Sequence, residues 1–352
     1  MHIETTLDTL LGLFDYPAFC VGDGVIRCVN KPAEIHGFAV GQSIYPMLRT
    51  DEAAYREFSG GALYLTLSVG SVTLEAHVSR LEQYHLFTLR DEQSELNAYA
   101  RAARELRQPL TQILSVAENL FPRLSEGDNP PVTAGLAVMN RGFYQMLRQV
   151  NNMSDAASCG ISRMEIRDVA AVFEELMERI EDLAAEAGFS LRFQNYPQSI
   201  YSLVDCQKLE RATYNMISNA MGHCKPGDTI DVSLGLHRNA VCLTVINPGY
   251  GASVSASMFR QHLQEPGLND SQNGLGLGFA LIQAAAASHK GTFLLCNTPS
   301  GGIKATLQFP VCQRSDQLRS PALRLDYAGE RDHGLVELSQ FLPDHLFEPG
   351  NL

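Results

Sequence analysis

The sequence predicts a multidomain α+β protein, and three observations along its 352 residues lead to this prediction. The first 90 residues contain short strand-like apolar runs, residues 91–160 carry apolar residues at heptad spacing, and residues 161–312 alternate helix-like with strand-like segments. A chain of this length has room for two or three domains. We therefore expect domains at 1–90, 91–160 and 161–312, followed by a C-terminal tail at 313–352.

The first domain is predicted to contain an antiparallel meander. The apolar runs at 17–21 and 25–29 are separated by a Gly-Asp-Gly sequence, which is a hairpin signal. Further apolar runs follow, and within 72–78 apolar and polar residues alternate as they do in a half-buried strand. The less regular residues between these runs, 31–57, are expected to form short helices.

The second domain is predicted to be an antiparallel helix hairpin, because its apolar residues recur at alternating spacings of three and four. Pro122 and the polar stretch 125–131 are expected to end the first helix. One hairpin cannot bury both apolar seams, so we expect a homodimer that forms a four-helix bundle, with a monomeric helical linker as the alternative. The seam residues are Leu96, Tyr99, Ala103, Leu106, Leu110, Ile113, Ala117 and Leu120 in the first helix, and Leu136, Met139, Phe143, Met146, Val150, Met153 and Ala157 in the second.

The third domain is predicted to be an α/β sandwich, and it contains two groups of candidate binding residues. Asn215 and Asn219 lie four residues apart and therefore share one face of a helix. The amide oxygen of an Asn is a suitable neutral ligand for Mg²⁺ held between phosphates. Asn247 ends a strand, where its amide could recognise the edge of a base. Taken alone, each of these residues could equally be an ordinary polar residue.

Glycines form the second group of candidate residues in this domain. Gly249 and Gly251 follow the strand that ends at Asn247, and glycine lets a backbone approach a ligand closely. Gly274, Gly276 and Gly278 precede a predicted helix, whose N-terminal N–H groups suit an anion. Turn formation without any ligand is the alternative for each glycine group.

These segments, taken in order, resemble the sensor histidine kinase family. Residues 205–219 resemble its N box, 245–251 its first glycine box and 274–278 its second, while Met258 and Phe259 lie where its lid carries an aromatic residue. The resemblance covers about residues 10–312. It implies a PAS-like α/β sensor domain, a dimerisation and phosphotransfer hairpin, and an ATP-binding domain of the histidine-kinase and heat-shock ATPase type. ATP is the implied cofactor, with Mg²⁺ held at Asn219 only together with the nucleotide.

The sequence departs from the family at the phospho-acceptor position. Residues 104–110, R-E-L-R-Q-P-L, resemble the acceptor box H-E-L-R-T-P-L, but Arg104 replaces the His. A guanidinium is always protonated and has no lone pair, so it cannot be the nucleophile. No histidine lies between His85 and His223. We therefore expect a degenerate member that binds ATP but cannot phosphorylate itself at the usual position.

Two further departures weaken the predicted nucleotide site. Asn247 replaces an Asp that usually accepts from the adenine amino group, so that hydrogen bond would lose its charge assistance. Gly222 stands where the family often has a Lys near phosphate.

Two residues of the acceptor box keep a chemical role under the resemblance. Glu105 stands where the family uses an acid beside the His, and Gln108 stands where phosphatase members orient water. A response-regulator phosphatase that uses Gln108, an active ATP-dependent kinase and a nucleotide-free scaffold therefore remain alternative functions. Exposed helix residues with no chemistry are the alternative for Glu105 and Gln108.

Composition favours a protein that acts on other proteins. The formal net charge of −12 argues against a nucleic-acid partner, since nucleic-acid binders usually present a basic face. No apolar run approaches the length of a membrane span, and the first residues lack the basic start of a secretory signal, so we expect a cytoplasmic location. The implied partner is a response regulator or a partner histidine kinase. An apolar cluster at 335–347 is either a docking peptide or packs on the ATP-binding domain.

Overall fold

The computed structural model describes residue 7 and residues 9–48, 52–70, 72–89, 93–125, 130–157, 163–248, 277–312 and 332–349. It confirms the α+β fold class: long helices accompany one large sheet. Among the helices that the structure describes, none has the length and apolarity required to cross a bilayer.

The N-terminal unit, residues 18–89, contains five antiparallel strands in the order β2-β1-β5-β4-β3. Three short helices connect the second strand to the third, as the irregular composition there predicts. Aromatic side chains fill the core, where Phe19 stacks on Phe38 and Phe87 with ring centroids 4.6 and 4.9 Å apart. The elements are β1 (Ala18–Gly22), β2 (Val25–Val29), α1 (Lys31–Ile35), α2 (Tyr45–Leu48), α3 (Glu52–Glu57), β3 (Ala62–Val69), β4 (Val72–Leu81) and β5 (Tyr84–Leu89).

The hairpin consists of α4 (Gln93–Ser125) and α5 (Pro130–Ala157). The first helix continues through Pro122 to Ser125, so the expected break at Pro122 is wrong. Tertiary packing explains the continuation, because Phe121 is buried against Leu136 and Phe143 in the hairpin core.

The predicted seam residues divide into two sets within the hairpin. One set is buried inside the chain and the other remains exposed, so a single hairpin covers only part of its apolar surface. The buried seam residues are Ala103, Leu110, Ala117, Leu136, Val150 and Met153, and the exposed ones are Leu106, Ile113, Leu120, Met139 and Met146.

In its described residues, 163–248 and 277–312, the C-terminal unit contains three helices, five strands of the large sheet and two strands of a separate sheet. Its strands follow the order β11-β12-β10-β9-β7, with β7 parallel to β9, and β6 pairs with β8 in a separate two-stranded sheet. The short strands β6 and β8 have no counterpart in the sequence prediction. The elements are β6 (Glu165–Asp168), α6 (Val169–Glu186), β7 (Ser190–Gln194), β8 (Tyr201–Val204), α7 (Cys206–Gly222), β9 (Thr229–His237), β10 (Ala240–Asn247), α8 (Leu277–Ser288), β11 (Thr292–Asn297) and β12 (Ile303–Pro310).

The sheets of the two units join into one ten-stranded sheet through the antiparallel pair β3–β11. The register places Ala62 opposite Leu295 and Tyr64 opposite Phe293. The rings of Tyr64 and Phe293 stack at 5.7 Å, so side-chain packing accompanies the backbone pairing. The N-terminal unit is thus attached directly to the C-terminal unit as well as through the hairpin.

The tail segment, residues 332–349, contains the helix α9 (His333–Leu338) and a 3₁₀ turn at Asp344–Phe347. It packs on the C-terminal unit and on α5. Of the two sequence-based options for this segment, packing within the chain is the one observed.

Candidate functional site

Helix α7 supplies the centre of the candidate site. Asp205 caps its N-terminus by accepting a hydrogen bond from the backbone N–H of Lys208 at 3.2 Å, and it also accepts from the N–H of Arg163 at 2.8 Å. The apolar face of the helix is buried, and this fixes the direction of its polar side chains. Asn215 and Asn219 therefore point from one face toward the start of α8.

The amides of these two asparagines differ in their hydrogen bonds. Asn215 is buried and donates through Nδ2 to the backbone oxygen of Arg211 at 2.9 Å, one turn earlier. The Nδ2 of Asn219 is also buried, yet it has no hydrogen-bond partner among the described residues. A buried donor without a partner costs roughly 1–3 kcal/mol, so this amide is a natural contact for an anionic oxygen.

The first turn of α8 completes this corner of the site. A Cβ at Gly278 would lie 3.0 Å from Oδ1 of Asn215 and 3.7 Å from Oδ1 of Asn219. A larger residue would crowd the amide oxygen of Asn215, so glycine lets the first turn of α8 lie close to these side chains of α7. The structure thus brings together Asn215, Asn219 and Gly278, three of the predicted binding residues.

Of the other predicted binding residues, the structure describes Asn247. Asn247 is buried at the last position of β10, opposite Ile303, and its Nδ2 donates to the backbone oxygen of Pro248 at 3.3 Å. The remaining predicted glycines and the predicted lid aromatic lie outside the described residues: Gly249, Gly251, Gly274, Gly276, Met258 and Phe259. Within the described part of the chain, no group of three or more His, Cys, Asp or Glu residues forms a metal cluster.

His289 contacts the N-cap residue of α7 and was not predicted from the sequence as a site residue. Its Nε2 accepts the backbone N–H of Asp205 at 2.9 Å, and its Nδ1 lies 2.6 Å from the backbone oxygen of Ala285. These partners require a neutral ring with its proton on Nδ1. Burial lowers the pKa of His289 below its ordinary value. The ring therefore connects the end of α8 to the N-cap of α7.

The acceptor-like residues occupy the outer face of α4. Arg104, Glu105 and Gln108 are all exposed, as expected for residues beside the buried seam position Ala103. Close to them, Arg107 donates to Oδ1 of Asn151 at 3.1 Å and connects the two hairpin helices. This face is open to a partner molecule.

The start of α8 lies against the same region of the hairpin. Leu281, on the first turns of α8, is buried in a cluster with Ala103, Leu110, Val150 and Met153. Gly278 lies one turn before Leu281, so the corner formed by the two asparagines and Gly278 is near the end of α8 that packs on the hairpin.

One known family matches part of the C-terminal unit. Residues 204–313 match the family described as histidine kinase-, DNA gyrase B- and HSP90-like ATPase. This match begins just before the cap of α7 and ends after β12.

Curated relatives extend the similarity beyond this region. The chain is 26% identical over 222 residues to sensor histidine kinase TmoS of Ectopseudomonas mendocina, covering 60% of this chain and 22% of TmoS. It is 23% identical to sensor histidine kinase RppB of Synechocystis sp., covering 60% of this chain and 48% of RppB. It is 29% identical to a bacteriophytochrome of Pseudomonas aeruginosa, covering 53% of this chain and 26% of that protein. The chain thus spans less than half the length of each of these relatives.

Two solved structures were also compared. Full-length ShkA in complex with AMPPNP has a TM-score of 0.49 and 18% identity, with 67% of this chain and 49% of that chain covered. Histidine kinase ThkA in complex with response regulator protein TrrA has a TM-score of 0.44 and 13% identity, with 87% and 99% covered.

Proposed function

Since the chain belongs to the histidine kinase family, we propose that it is a two-component signalling protein that binds ATP but cannot phosphorylate itself on histidine. The observation that carries the proposal is the contrast between two neighbouring regions. Asn215, Asn219 and Gly278 lie together within the segment that matches the ATPase family, and they are proposed to contact the nucleotide. The hairpin beside it has Arg104 at the acceptor position and contains no histidine.

ATP fits the corner on two grounds. The Nδ2 of Asn219, which has no partner among the described residues, offers a donor to a phosphate oxygen, and Gly278 lets the start of α8 lie close to both asparagines. The amide oxygen of Asn219 would hold Mg²⁺ together with the phosphates, and Mg²⁺ supplies charge neutralisation between them. Asn247, Gly249, Gly251, Gly274 and Gly276 are proposed to complete the nucleotide contacts.

The replacement of a carboxylate by Asn247 sets the expected strength of ATP binding. The amide of Asn247 is neutral where the family has a carboxylate, which removes charge assistance from one hydrogen bond, roughly 1 kcal/mol. A tenfold weaker affinity corresponds to about 1.4 kcal/mol, so we expect binding to be weakened and not lost.

Calorimetric titration with ATP and Mg²⁺ tests the binding half of this proposal. The wild-type chain should release or absorb heat with one nucleotide per chain, and Asn219→Ala should weaken the affinity at least about tenfold, since it removes a buried donor to the ligand. Gln207→Ala is the matched control, because Gln207 is exposed on the same helix. A flat titration of the wild-type chain with both ATP and ADP would instead support a nucleotide-free scaffold.

The hairpin is proposed to form a homodimer. Seam positions away from the face of Arg104, Glu105 and Gln108 expose large apolar side chains on both helices, among them Leu106, Ile113 and Leu120 on α4 and Met139 and Met146 on α5. Contiguous apolar surface of this kind is typical of an interface, and a second copy of the hairpin offers the complementary seam. Ile113→Glu should shift the chain to a monomer in sedimentation velocity, whereas the exposed Gln112→Glu should leave it dimeric.

Dephosphorylation of a partner response regulator is the second candidate function. Gln108 is exposed one turn after Arg104, where its amide is accessible to a partner and needs no histidine to orient water. Gln108→Ala should slow the decay of a phosphorylated response regulator, and Gln112→Ala, one turn further along the exposed face, should not. Equal decay rates with the two variants would eliminate this function. If the phosphatase is absent, the same face serves to bind a response regulator or a partner histidine kinase.

A further inference from the structure

The tail segment lies in a groove formed by α5 of the hairpin and by α6 and α7 of the C-terminal unit. On one side, Asn140 donates to the backbone oxygen of Phe347 at 2.8 Å and Tyr144 contacts the Phe347 ring edge-on at 5.2 Å. On the other side, a Cβ at Gly334 would lie 2.4 Å from Leu183 and 3.0 Å from the hydroxyl of Tyr214. The tail segment therefore touches the hairpin and the C-terminal unit at once.

Charge in the groove is complementary to charge in the segment. Arg141 bonds Asp344 at 2.8 Å and also donates to the backbone oxygens of Ser339 and Gln340 at 3.1 and 3.2 Å. Arg179 of α6 forms a second ion pair, with Asp332. The groove thus offers arginines to an acidic and apolar segment.

A buried ion pair stands at the centre of these contacts. Arg148 of α5 donates through Nε to the Glu337 carboxylate at 3.3 Å and through Nη2 to Oγ of Ser218 at 2.8 Å. Both charged side chains are almost completely buried, 9% and 5% exposed. Burial raises the pKa of Glu337 and lowers the pKa of Arg148, while the attraction between the two groups acts in the opposite direction on both. The ion pair therefore offsets part of the cost of burying the two groups.

The same contacts reach the helix that carries the candidate binding residues. Ser218 lies on α7 next to Asn219, and Arg148 therefore connects the tail, the hairpin and α7 through one side chain. At the end of α7, a side chain at position 222 would start 3.8 Å from the ring of Phe341. The ring of Phe341 in the tail thus lies near the exposed position where the family often has a Lys.

We propose that residues 332–349 are an internal clamp, a contact that holds the C-terminal unit on α5 and releases it when the segment leaves this groove. The clamp contacts are made by residues other than the proposed nucleotide contacts, so the clamp goes beyond the proposed function and does not depend on it. Its consequence is that the segment helps to keep Leu281 packed against the hairpin.

Glu337→Gln in the whole chain tests the clamp, because it leaves the Arg148 guanidinium buried without its carboxylate partner. Removal of one partner of a buried pair is strongly destabilising, so amides of the segment, such as those of Val336, Phe341 and Leu342, should exchange their hydrogens at least about a hundredfold faster. Asp231→Asn is the matched control, since it removes an exposed ion pair with Arg192. Equal exchange in the two variants would overturn the proposal.

Separation of the C-terminal unit from α5 is measured by a second experiment. Hydroxyl-radical oxidation of Met153, which is 7% exposed beside Leu281, should rise in Glu337→Gln, while oxidation of the exposed Met146 should not change. Faster exchange of the segment without increased oxidation of Met153 would show a passive tail and contradict the clamp.

Two further variants guard against a general loss of folding. Asp344→Asn removes only the half-exposed pair with Arg141 and should accelerate exchange of the segment several-fold in a folded chain. The double substitution Arg148→Met with Glu337→Leu replaces the pair by apolar side chains of similar size, and it should restore protection to near the wild-type rate. Failure of the double variant to restore protection, together with no effect of Asp344→Asn, would also overturn the proposal.

Discussion

Gly61→Ala tests the junction that joins the sheets of the two units. Gly61 lies directly before β3 with φ of +92°, and a Cβ there would lie 2.0 Å from the backbone oxygen of Leu295 in β11. An ordinary non-bonded separation is about 3.5 Å, and the obstacle is backbone, which cannot rotate away. Alanine at this position should therefore force β3 and β11 apart.

The expected magnitude has two parts. A non-glycine residue in the left-handed region costs about 1–2 kcal/mol wherever it occurs. Separation of the strands would also release three register pairs, with about one backbone hydrogen bond each at roughly 1 kcal/mol, so the loss at the junction approaches about 3 kcal/mol. Gly227→Ala isolates the first part, because Gly227 also has φ of +92° but a Cβ there would meet nothing within 4 Å.

Hydrogen exchange resolved by residue measures the difference between these variants. Gly61→Ala should lose protection at the amides of β3 and β11 near Leu63, Tyr64 and Leu294, where Gly227→Ala should keep it. The pair β7–β9, at the far edge of the ten-stranded sheet, should stay protected in both variants. If Gly61→Ala matched Gly227→Ala at the junction, the reasoning from close backbone approach would be refuted.

Two further predictions concern side chains that hold the candidate site in place. The unfolding free energy of the wild type should fall as pH falls below about 6.5, because burial lowers the pKa of His289 in the folded state and protonation would break the hydrogen bond that its ring accepts from the backbone N–H of Asp205. Chemical denaturation at several pH values measures this dependence. The decrease of the unfolding free energy with falling pH should be smaller in His289→Gln and unchanged in the exposed control His223→Gln. Leu281→Ala should lower the unfolding free energy by about 2–5 kcal/mol, since it empties a buried position between α8 and the hairpin, whereas Leu203→Ala, at a half-exposed position, should change it by less than about 1 kcal/mol. Equal urea midpoints for the two leucine variants would contradict the described contact.

The local periodicities of the sequence predicted much of the fold. The heptad spacing identified both hairpin helices, and the alternation within 72–78 identified β4. The spacing of Asn215 and Asn219 placed both on one face of α7, and the structure adds that Gly278 meets them there. These features could be predicted because each depends on residues that are near one another in sequence.

The remaining features depend on contacts between distant segments. The pairing of β3 with β11 joins residues 62–64 to 293–295, and no local pattern distinguishes it from two separate sheet edges. The partner of Glu337 is 189 residues away in the chain, so a lone acid in an apolar tail gave no signal for a buried ion pair. His289 likewise looks like an ordinary residue at the end of an alanine-rich helix until Asp205 is brought to it.

Incubation of the full chain with γ-labelled ATP and Mg²⁺ tests the central claim most directly. We expect nucleotide to bind while no acid-labile phosphate appears on the chain, because the hairpin has Arg104 in place of the acceptor and contains no histidine. Arg104→His, assayed in parallel, reports whether the ATP-binding region still supports transfer once an imidazole is present. Acid-labile phosphate on the wild-type chain would contradict the account.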